Sequence, residues 1–578
     1  MDADATPIEV SVIIPTYNRA SMLRACLASL CHQTQPPNDF EVIVVIDGST
    51  DDTRQMLTGL TTPFRLRTCW QDNSGQCAAR NRGIEVATGR YCLILDDDMV
   101  ADPALIAAHL QVQREHDGAI GLGQITCDLP RHADGFARYL AEWWRGHYSR
   151  LNSGQRQPSF KDCFSGNLSA PRSALRVVGG FAQDLRRGED IELGYRLMQY
   201  GLPAIYIRDA IGHQDYRKNF PAITRDAKNE GASEVDLYRR NPAMLPGLRL
   251  AAFNATSSRA VLLRRLLLAL HVPVRPLAVV GPLLRRRHWE GEWYRFLYDL
   301  CYWRGVHRAV PDRDTWQRLT RGTRILMYHA FGHRGEPPSR YVVPGRRFAR
   351  QMVWLRWRGY RVLRLEDFLR DRRAYELPPA RSLVITMDDG YADNHAVAYP
   401  ILRRHRFPAT IFLVSGAIGA ANRWDEGSVL SGRPLASCRA IEEMRSGGIS
   451  YGAHTRTHPP LTAIEAGRAR EEIEGSRADL EDRLGLPIAA FSYPYGKYDA
   501  TIEEVVKERG FAGACTVREG PNDPATSPWA LRRIEIYGTD SLAYFILALF
   551  LGRAPRLLRC RHRPSLPDEL TPMRSAPG

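Results

Sequence analysis

Two separate series of short apolar runs constrain the fold of this chain more than any other feature of its sequence. The first series lies within residues 9–215 and contains the β-branched runs EVSVIIPTY, FEVIVVIDG and RYCLILDDD. The second series starts at Thr323 and contains the runs RILMYHAF, RSLVITMDDG, ATIFLVSG, GISYGAHT and AAFSYPYG. Strand-like runs that alternate with helical periodicity are typical of βαβ units in a mostly parallel sheet. The sequence therefore predicts an α/β protein in which the second series forms an α/β barrel.

The stretch between the two series, residues 216–320, has helical periodicity and is rich in Arg, Leu, Trp and Tyr. A chain of 578 residues is also too long for one ordinary domain. We therefore expect four parts, which are a first α/β domain at 1–250, a basic helical connector at 251–318, a barrel domain at 319–560 and a flexible tail at 561–578.

The net charge of +15 narrows the classes of partner. A basic excess suits nucleic acid, a membrane surface or an anionic ligand. The sequence has no nucleic-acid-binding motif, so we expect no nucleic acid partner and favour nucleotide diphosphates and lipid headgroups. The arginine-interrupted apolar stretch at 261–287 leaves two interpretations open. It is either a buried helix pair with a basic outer face or an interfacial segment that makes peripheral membrane contact.

The cysteines and the N-terminal residues indicate the cellular compartment of the protein. The 11 cysteines are scattered and form no CxxC pair, which is typical of reduced thiols. The first residues, MDADATPIEVSVIIPTYNRA, lack the basic and apolar regions of a signal peptide. We therefore expect a cytoplasmic protein, with the inner membrane face as a second site of residence.

Acidic and polar clusters directly follow the first strand-like runs. These clusters are Pro15-Thr16-Tyr17-Asn18, Asp47-Gly48-Ser49-Thr50-Asp51-Asp52 and Asp96-Asp97-Asp98. In open α/β sheets, ligands bind at the carboxyl ends of strands, so the three clusters should converge. Carboxylates there could hold Mg²⁺ or Mn²⁺, which would neutralise the charge that develops on a diphosphate leaving group. Asp96 and Asp98 alternate along an extended segment and should point the same way.

A second carboxylate pair, Glu189-Asp190, opens a helical pattern that ends in glycine. Backbone N–H groups at a helix start stabilise a carboxylate, so we expect Asp190 to be ionised and suited to act as a general base. His213 is a candidate further metal ligand. A nucleotidyltransferase would use a similar sheet edge, but it would carry a glycine-rich loop after its first strand. Because residues 15–18 contain no glycine, we reject that class.

These segments resemble family 2 glycosyltransferases of the GT-A fold, and the resemblance covers residues 9–215. It implies a nucleotide-sugar donor, with a UDP-sugar expected, and a Mg²⁺ or Mn²⁺ cofactor. It also implies that Asp47 contacts the nucleobase and that Asp190 is the base. Asp96 and Asp98 would form the metal-binding Asp-x-Asp motif, with Asp98 preferred over Asp96 as the direct ligand. Glu189 is a candidate substrate contact. The implied nucleotide-sugar-binding residues are Pro15, Tyr17, Asp47, Gly75, Arg80, Asn81 and Asp96.

The second series carries its own cluster. Asp388-Asp389-Gly390 ends the strand-like run SLVIT, and His454 and His458 lie four residues apart. Two histidines and one aspartate give three ligands and leave a position open for water, as catalytic zinc sites require. Zinc would lower the pKa of that water to about 7. The spare aspartate could then take the proton as the water attacks a carbonyl.

The order of these motifs, followed by FSYPYG, resembles polysaccharide deacetylases of carbohydrate esterase family 4 over residues 323–540. The resemblance implies a distorted (β/α) barrel that hydrolyses N-acetyl groups of amino sugars with Zn²⁺ or a similar divalent metal. It implies that Asp388 is the base and that Asp389, His454 and His458 hold the metal. The backbone N–H of Tyr495 would help to form the oxyanion hole.

The sequence departs from this family pattern at two places. Many members carry an arginine, which orients the base, where this chain has Ser492, and Arg533 is the candidate replacement. No Leu-x-x-His segment follows Trp529, where many members place a general-acid histidine. His329 resembles the variant branch in which that motif is permuted to the front, so we assign His329 as the acid.

The sequence therefore predicts a bifunctional enzyme of glycan biosynthesis. Its first half would be a hexosyltransferase that moves a sugar, expected to be an N-acetylhexosamine, to a glycan or lipid-linked acceptor. Its second half would hydrolyse N-acetyl groups, acting on C–N bonds other than peptide bonds. The alternative is an active glycosyltransferase whose deacetylase-like barrel serves only as a glycan-binding module.

Overall fold

The computed structural model describes residues 7–129, 133–185, 187–215, 219–284 and 289–555. The chain forms two compact units. The first comprises Met1–Leu250 with Leu262–Pro311, and the second comprises Ala251–Val261 with Asp312–Gly578. Most of the stretch that the sequence assigned to a connector therefore groups with the first unit. The segment expected to be a flexible tail, 561–578, lies outside the described residues.

The first unit is built on one eight-stranded sheet in the order β3-β2-β1-β4-β7-β6-β8-β5. Strands β1 to β4 are parallel where they pair, whereas β7 runs antiparallel to β4 and β6. The strands are β1 (Val10–Thr16), β2 (Phe40–Asp47), β3 (Arg65–Gln71), β4 (Tyr91–Leu95), β5 (Met99–Ala101), β6 (Ile120–Asp128), β7 (Asn167–Pro171) and β8 (Ala204–Asp215).

Helices cover both faces of this sheet, and this explains the nearly continuous apolar runs of its central strands. Every residue of β1, β2 and β4 is buried. The edge strand β3 is polar and half-exposed, so its sequence gave no apolar run. The helices are α1 (Ala20–Leu30), α2 (Thr53–Thr58), α3 (Gln76–Val86), α4 (Leu105–Glu115), α5 (Gly135–Asn152), α6 (Arg172–Val177) and α7 (Glu189–Gln199).

A helical layer completes the first unit. Its main contact is between α8 and α12, whose backbones approach closely because Gly231 and Gly305 lack side chains. A Cβ at Gly231 would collide with the carbonyl of Tyr302, and one at Gly305 with the carbonyl of Lys228. The helices of this layer are α8 (Phe220–Arg240), α9 (Ser258–Ala269), α10 (Val274–Ala278), α11 (Val280–Leu284) and α12 (Glu290–Ala309).

The second unit contains a curled parallel sheet in the order β17-β16-β15-β14-β13-β9-β18, with β12 paired to β13. A further bridge joins Cys515 of β17 to Leu531, three residues before β18, so this segment closes the curl into a distorted barrel. The strands are β9 (Arg324–Tyr328), β10 (Ala330–Gly332), β11 (Val342–Pro344), β12 (Arg361–Leu363), β13 (Ser382–Met387), β14 (Ala409–Leu413), β15 (Ile449–Ala453), β16 (Ala490–Ser492), β17 (Gly513–Cys515) and β18 (Ile534–Glu535).

Helices surround this curled sheet, and the apolar core lies between the two layers. The helices are α13 (Arg313–Arg321), α14 (Gly345–Trp357), α15 (Leu365–Arg373), α16 (Tyr399–His405), α17 (Cys438–Ser446), α18 (Ala466–Leu484), α19 (Ala500–Glu508) and α20 (Leu542–Leu551). The predicted fold class, α/β with a GT-A-like sheet and a distorted barrel, is confirmed. Among the described helices, none combines the length and the apolar character needed to cross a bilayer.

Candidate functional sites

The first candidate site lies where β1, β2 and β4 end. Asp96, Asp97 and Asp98 connect β4 to β5, and only the middle carboxylate is fully buried. Thr16 donates a hydrogen bond to Asp97 over 2.8 Å, and Arg19 lies 3.0 Å from the same carboxylate. Burial raises the pKa of Asp97 to about 6. Asp97 therefore anchors the turn, while Asp96 and Asp98 remain accessible on either side of it.

Arg80, on α3, joins two acidic parts of this site. Its guanidinium lies 2.9 Å from Asp96 and 3.0 Å from Glu189, and Arg80 is only 1% exposed. The sequence assigned Arg80 to the nucleotide. In the structure, one terminal nitrogen of Arg80 contacts Asp96 and the other contacts Glu189. Arg80 therefore holds Asp96, a candidate metal ligand, beside the start of α7.

Asp47 ends β2 and organises the loop that follows β3. Its carboxylate accepts hydrogen bonds from the side chain of Gln71 at 2.7 Å and from the backbone N–H groups of Ser74 and Gly75, both at 2.9 Å. Gly75 has a φ of 93°, a left-handed conformation that favours glycine, and it is the N-cap residue directly before α3. Asp47 thus fixes the loop whose glycine the sequence placed against the nucleotide.

Three other residues assigned to the nucleotide lie in different environments. Pro15 is buried within β1, whereas Tyr17 follows that strand and is 48% exposed. Asn81 uses its amide nitrogen and oxygen on the backbone of Phe181, at 2.8 and 2.7 Å. This geometry favours a structural role for Asn81 and leaves Tyr17 as the accessible member of the three.

Asp190 lies in the first turn of α7, after Glu189. Its carboxylate accepts hydrogen bonds from the backbone N–H groups of Ile191 at 2.8 Å and Ser165 at 3.4 Å. Burial, together with repulsion from Glu189, nevertheless raises its pKa to about 7. The expectation that the helix start keeps this carboxylate firmly ionised is therefore wrong, because desolvation outweighs the backbone donors. A pKa near neutrality still suits a general base.

His213, on β8, is not gathered with the aspartates of this site. Its ring lies 2.9 Å from the hydroxyl of Thr126, while the neighbouring Gln214 donates to Asp98 over 3.2 Å. In the part of the chain that the structure describes, only one group brings three potential ligand atoms within 4.8 Å of one another, and it lies in the second unit.

That group consists of Asp389, His454 and His458, all buried. The Oδ1 atom of Asp389 lies 3.5 Å from Nε2 of His454 and 3.3 Å from Nε2 of His458. The two Nε2 atoms are 3.2 Å apart. Three ligand atoms that face one another at these distances suit a single divalent ion, and two imidazoles with one carboxylate are a donor set that zinc accepts.

The protein fixes the orientation of these ligands. Nδ1 of His454 donates to the carbonyl of Ser492 over 2.7 Å, so Nε2 is the nitrogen that faces the ligand group. Asp389 and His458 have φ values of 71° and 66°. Such left-handed conformations cost free energy in residues other than glycine, and they accumulate at functional sites. The hydrogen bond from His454 and the charge of His458 outweigh burial and hold the pKa of Asp389 well below its usual range.

The neighbouring Asp388 is held by Arg533, as the sequence suggested. The guanidinium makes a two-pronged contact at 2.6 and 2.7 Å, and it also donates to the hydroxyl of Ser492 at 3.0 Å. All three side chains are buried. Although burial opposes it, the charge of Arg533 lowers the pKa of Asp388, so the carboxylate is ionised.

His329 and Tyr495 lie around the same group. His329 connects β9 to β10, and its carbonyl accepts a hydrogen bond from Asn394 at 2.9 Å. The charge of His329 contributes to the lowered pKa of Asp389 after the larger effects of His454 and His458. Tyr495 has a φ of 57°, and its ring lies 4.7 Å from that of His458.

Sequence reasoning missed the loop between β14 and α17. Trp424 stacks on His458, with ring centroids 4.8 Å apart and planes at 30°. Asn422 donates to Asp425 at 2.8 Å and to the hydroxyl of Tyr391 at 2.7 Å. Repulsion from Asp389 adds to burial in raising the pKa of Asp425. The only signal was an isolated Trp-Asp pair in an irregular segment, and nothing in its spacing links it to the histidines.

Comparison with known proteins assigns the two halves separately. The model of the family Glycosyl transferase family 2 matches residues 11–179, and that of the family Polysaccharide deacetylase matches residues 376–514. The N-terminal part is 29% identical to validoxylamine A glucosyltransferase from Streptomyces hygroscopicus subsp. limoneus, over 42% of this chain and 59% of that protein. It is 26% identical to chondroitin synthase from Escherichia coli, over 39% of this chain and 37% of that protein. This chain thus spans less than two thirds of either transferase.

The C-terminal part is similar to the solved structure of Streptococcus pyogenes deacetylase PplD in complex with acetate. The identity is 26% and the TM-score is 0.35, with coverage of 39% of this chain and 98% of that chain. The deacetylase family match contains Asp388, Asp389 and both histidines, whereas Arg533 lies beyond it. This chain carries a family 2 glycosyltransferase domain in its N-terminal half and a polysaccharide deacetylase domain in its C-terminal half.

Proposed function

We propose that the chain is a bifunctional enzyme of glycan biosynthesis. Its first domain transfers an N-acetylhexosamine from a UDP-sugar to a glycan or lipid-linked acceptor, and its second domain removes N-acetyl groups from amino sugars. The observation that carries the proposal is the buried group of Asp389, His454 and His458 beside an aspartate paired with Arg533. A cytoplasmic site of action fits this proposal, because nucleotide sugars are made there.

In the transferase domain, Asp96 and Asp98 would hold Mg²⁺ or Mn²⁺. That ion supplies positive charge for the diphosphate leaving group. Asp190 accepts the proton of the acceptor hydroxyl, and its pKa of about 7 matches that task at neutral pH. Arg80 keeps Asp96 and Glu189 in fixed positions through its two carboxylate contacts.

In the deacetylase domain, Asp389, His454 and His458 would hold Zn²⁺ or a similar ion. Such an ion supplies Lewis acidity and lowers the pKa of water to about 7. Asp388, kept ionised by Arg533, accepts a proton from the attacking water. The backbone N–H of Tyr495 donates to the oxyanion that forms at the acetyl carbonyl. His329 protonates the departing amine.

A barrel that only binds glycan is the rival function. Binding requires an accessible surface, but it does not require three buried ligand side chains, two of them in left-handed backbone conformations. The buried pair of Asp388 and Arg533 would likewise be costly to retain without a function, since burial of charge is rarely repaid by the pair alone. Acetate release is therefore favoured over binding alone.

The test compares wild type with Asp389→Ala, using UDP-N-acetylglucosamine and an N-acetylglucosamine tetrasaccharide. Mass spectrometry should find elongated, partly deacetylated product with wild type and elongated, fully acetylated product with the variant. Identical products from the two proteins would contradict sequential action. Release of acetate by Asp389→Ala at the wild-type rate would contradict the assignment of the metal site.

A membrane surface is the proposed location of the acceptor. Residues 237–289 contain ten arginines and no acidic residue. One face of α9 is buried, and on it Arg264 forms an ion pair with Asp299 of α12. The opposite face of α9 exposes Leu262 and Leu266, and the segment that follows it exposes Leu270, Val279, Leu283 and Trp289. An exposed apolar face in a basic region is typical of peripheral binding to anionic lipid.

Flotation with lipid vesicles tests this contact. Wild type should float with vesicles of phosphatidylcholine and phosphatidylglycerol but not with phosphatidylcholine alone, and high salt should weaken the binding. The combined change Leu262→Ser, Leu266→Ser and Leu283→Ser should abolish it. The control is Trp357→Ser, which removes an equally exposed apolar side chain from α14. Equal flotation of wild type and the triple variant would exclude this surface.

A further inference from the structure

Helix α5 brings an aromatic cluster next to the base of the transferase site. The backbone N–H of Ser165 donates to the carboxylate of Asp190 over 3.4 Å. The preceding residue, Phe164, packs on α5, with its ring centroid 4.8 Å from that of Trp144 and 5.6 Å from that of His147. One residue therefore separates the cluster on α5 from a hydrogen-bond donor to the base.

The two adjacent tryptophans of α5 differ in environment. Trp144 packs against the core with Phe164 and stacks on Tyr148 at 5.8 Å. The ring of Trp143 meets that of Trp144 edge-on, with centroids 5.2 Å apart, but Trp143 is 42% exposed. Its ring stacks on that of His147, with centroids 5.2 Å apart and planes at 28°. Trp143 is thus supported from within the protein while it presents apolar surface to solvent.

The support beneath Trp143 is rigid. His147 is buried, and its Nε2 atom lies 3.4 Å from the carboxylate of Asp162. Arg156 holds that carboxylate with two contacts at 2.8 and 2.7 Å, and Ser159 forms a capping box with it. Burial lowers the pKa of His147 to about 4, so its ring is neutral at neutral pH and suited to aromatic stacking. The network therefore fixes the plane of Trp143.

We propose that Trp143, backed by His147, forms an acceptor subsite of the transferase that stacks against the apolar C–H face of a pyranose ring. The proposal rests on the proposed transferase function. A pyranose has one face of C–H groups and a rim of hydroxyls. An exposed aromatic ring on the helix that packs against Phe164, the residue before Ser165, can therefore bind the face while the rim remains hydrated.

The same domain offers a matched control. Trp70, on the edge strand β3, is 44% exposed, close to the value for Trp143. Its ring, however, is covered by the guanidinium of Arg54, 4.1 Å from the ring centroid. Removing Trp70 deletes as much exposed aromatic surface as removing Trp143, but at a position remote from the contacts of Asp190.

The experiment measures UDP released from UDP-N-acetylglucosamine by the full chain. Three acceptors are tested separately, each over a range of concentrations. They are a tetrasaccharide of N-acetylglucosamine, one of glucose and one of mannose. Trp143→Ala should raise the acceptor KM about tenfold, which corresponds to a loss of ~1.4 kcal/mol of binding. Trp143→Phe, which retains a ring, should stay within about threefold of wild type. Trp70→Ala should keep the wild-type KM, and UDP release without acceptor should be the same in all variants.

Each other outcome overturns the proposal. An unchanged acceptor KM in Trp143→Ala would exclude the subsite. A loss of acceptor-independent UDP release in that variant would show that Trp143 only supports the fold. If wild type hydrolyses the donor but no tetrasaccharide stimulates it, the ligand is not a pyranose chain. If wild type releases no UDP at all, the transferase function itself fails, and the subsite fails with it.

Discussion

The two sites of this chain hold their acidic residues in opposite ways. In the transferase domain, arginines occupy the carboxylates, since Arg80 contacts Asp96 and Arg19 contacts Asp98. In the deacetylase domain, Asp389 lies 3.3 and 3.5 Å from the imidazoles of His458 and His454 and also interacts with the hydroxyl of Tyr391, while the arginine contacts the neighbouring Asp388. The two arrangements imply different ways of taking up an ion. The deacetylase ligands are already gathered, whereas the transferase carboxylates must first exchange an arginine for a cation.

We therefore expect the deacetylase ion to remain bound in the resting protein and the transferase ion to arrive with the nucleotide. Such an arrangement needs no extra ligand in the transferase, because the diphosphate supplies further oxygens.

The largest effect is expected from His454→Ala. Loss of one of three ligands should remove the ion and lower acetate release about 1000-fold, a loss of ~4 kcal/mol of transition-state stabilisation. Sugar transfer should persist, because its candidate residues lie in the other unit. Elemental analysis and acetate assays measure the two effects, with His405→Ala on α16 as the control. If His454→Ala retains the ion, the deacetylase ligands are not those that the geometry indicates.

Arg533→Met should lower acetate release about 100-fold while the ion stays bound, since Arg533 contacts the base and not the ligand group. Methionine retains much of the side-chain volume but leaves Asp388 buried without its partner. Steady-state kinetics and elemental analysis check both parts. The control is Arg468→Met at an exposed position of α18. Loss of the ion in Arg533→Met would show that Arg533 is also needed for metal binding and does not act on the base alone.

The transferase should depend on pH through Asp190. A base must be ionised to accept a proton, and the pKa of Asp190 is raised to about 7. The transfer rate should therefore fall below that pH by about tenfold per unit and level off above it. Rates of UDP release at saturating acceptor give the profile. Asp190→Asn should still bind donor without turnover, and a flat profile in wild type would remove Asp190 from this role.

The smallest effects concern stability. Gly305→Ala should destabilise the first unit by about 1–3 kcal/mol, because its Cβ meets the backbone of Lys228. Calorimetry should show a lower midpoint temperature for the unfolding of the first unit and an unchanged midpoint for the deacetylase domain. Gly291→Ala lies on the same helix, where a Cβ meets nothing within 4 Å. That change should stabilise by about 0.5–1 kcal/mol through helix propensity. Equal effects at both glycines would contradict the close packing of α8 on α12.

Much of the fold could be predicted because it depends on local pattern. The buried runs that form β1, β2, β4 and the barrel strands are apolar and β-branched, so each is visible in the sequence. The polar edge strand β3 had no such signal. The grouping of 262–311 with the first unit depends on long-range packing between α8 and α12, which no local pattern reveals.

The sites divide in the same way. Asp388 and Asp389 end a strand-like run and the two histidines are four residues apart, so the sequence pattern suggested a ligand group, and the resemblance to the deacetylase family divided the roles of the two aspartates. The bridge from Arg80 to Glu189 spans 109 residues, and the stacking of Trp424 on His458 joins separate loops. The pKa of Asp190 depends on desolvation by the folded protein and could not be inferred from its place at a helix start.

The segment that closes the barrel also has a consequence for synthesis. Leu531 bridges to β17, and β18 pairs with β9, so these residues join the first and the last strands of the curled sheet. Arg533 lies between them and supplies the counter-charge of Asp388. During translation Asp388, the proposed base, therefore remains without its partner until residues near 535 have left the ribosome. Barrel closure and the proposed deacetylase activity would be gained together, and a proteolytic cut that removed this short segment would abolish that activity while leaving the three candidate metal ligands in place.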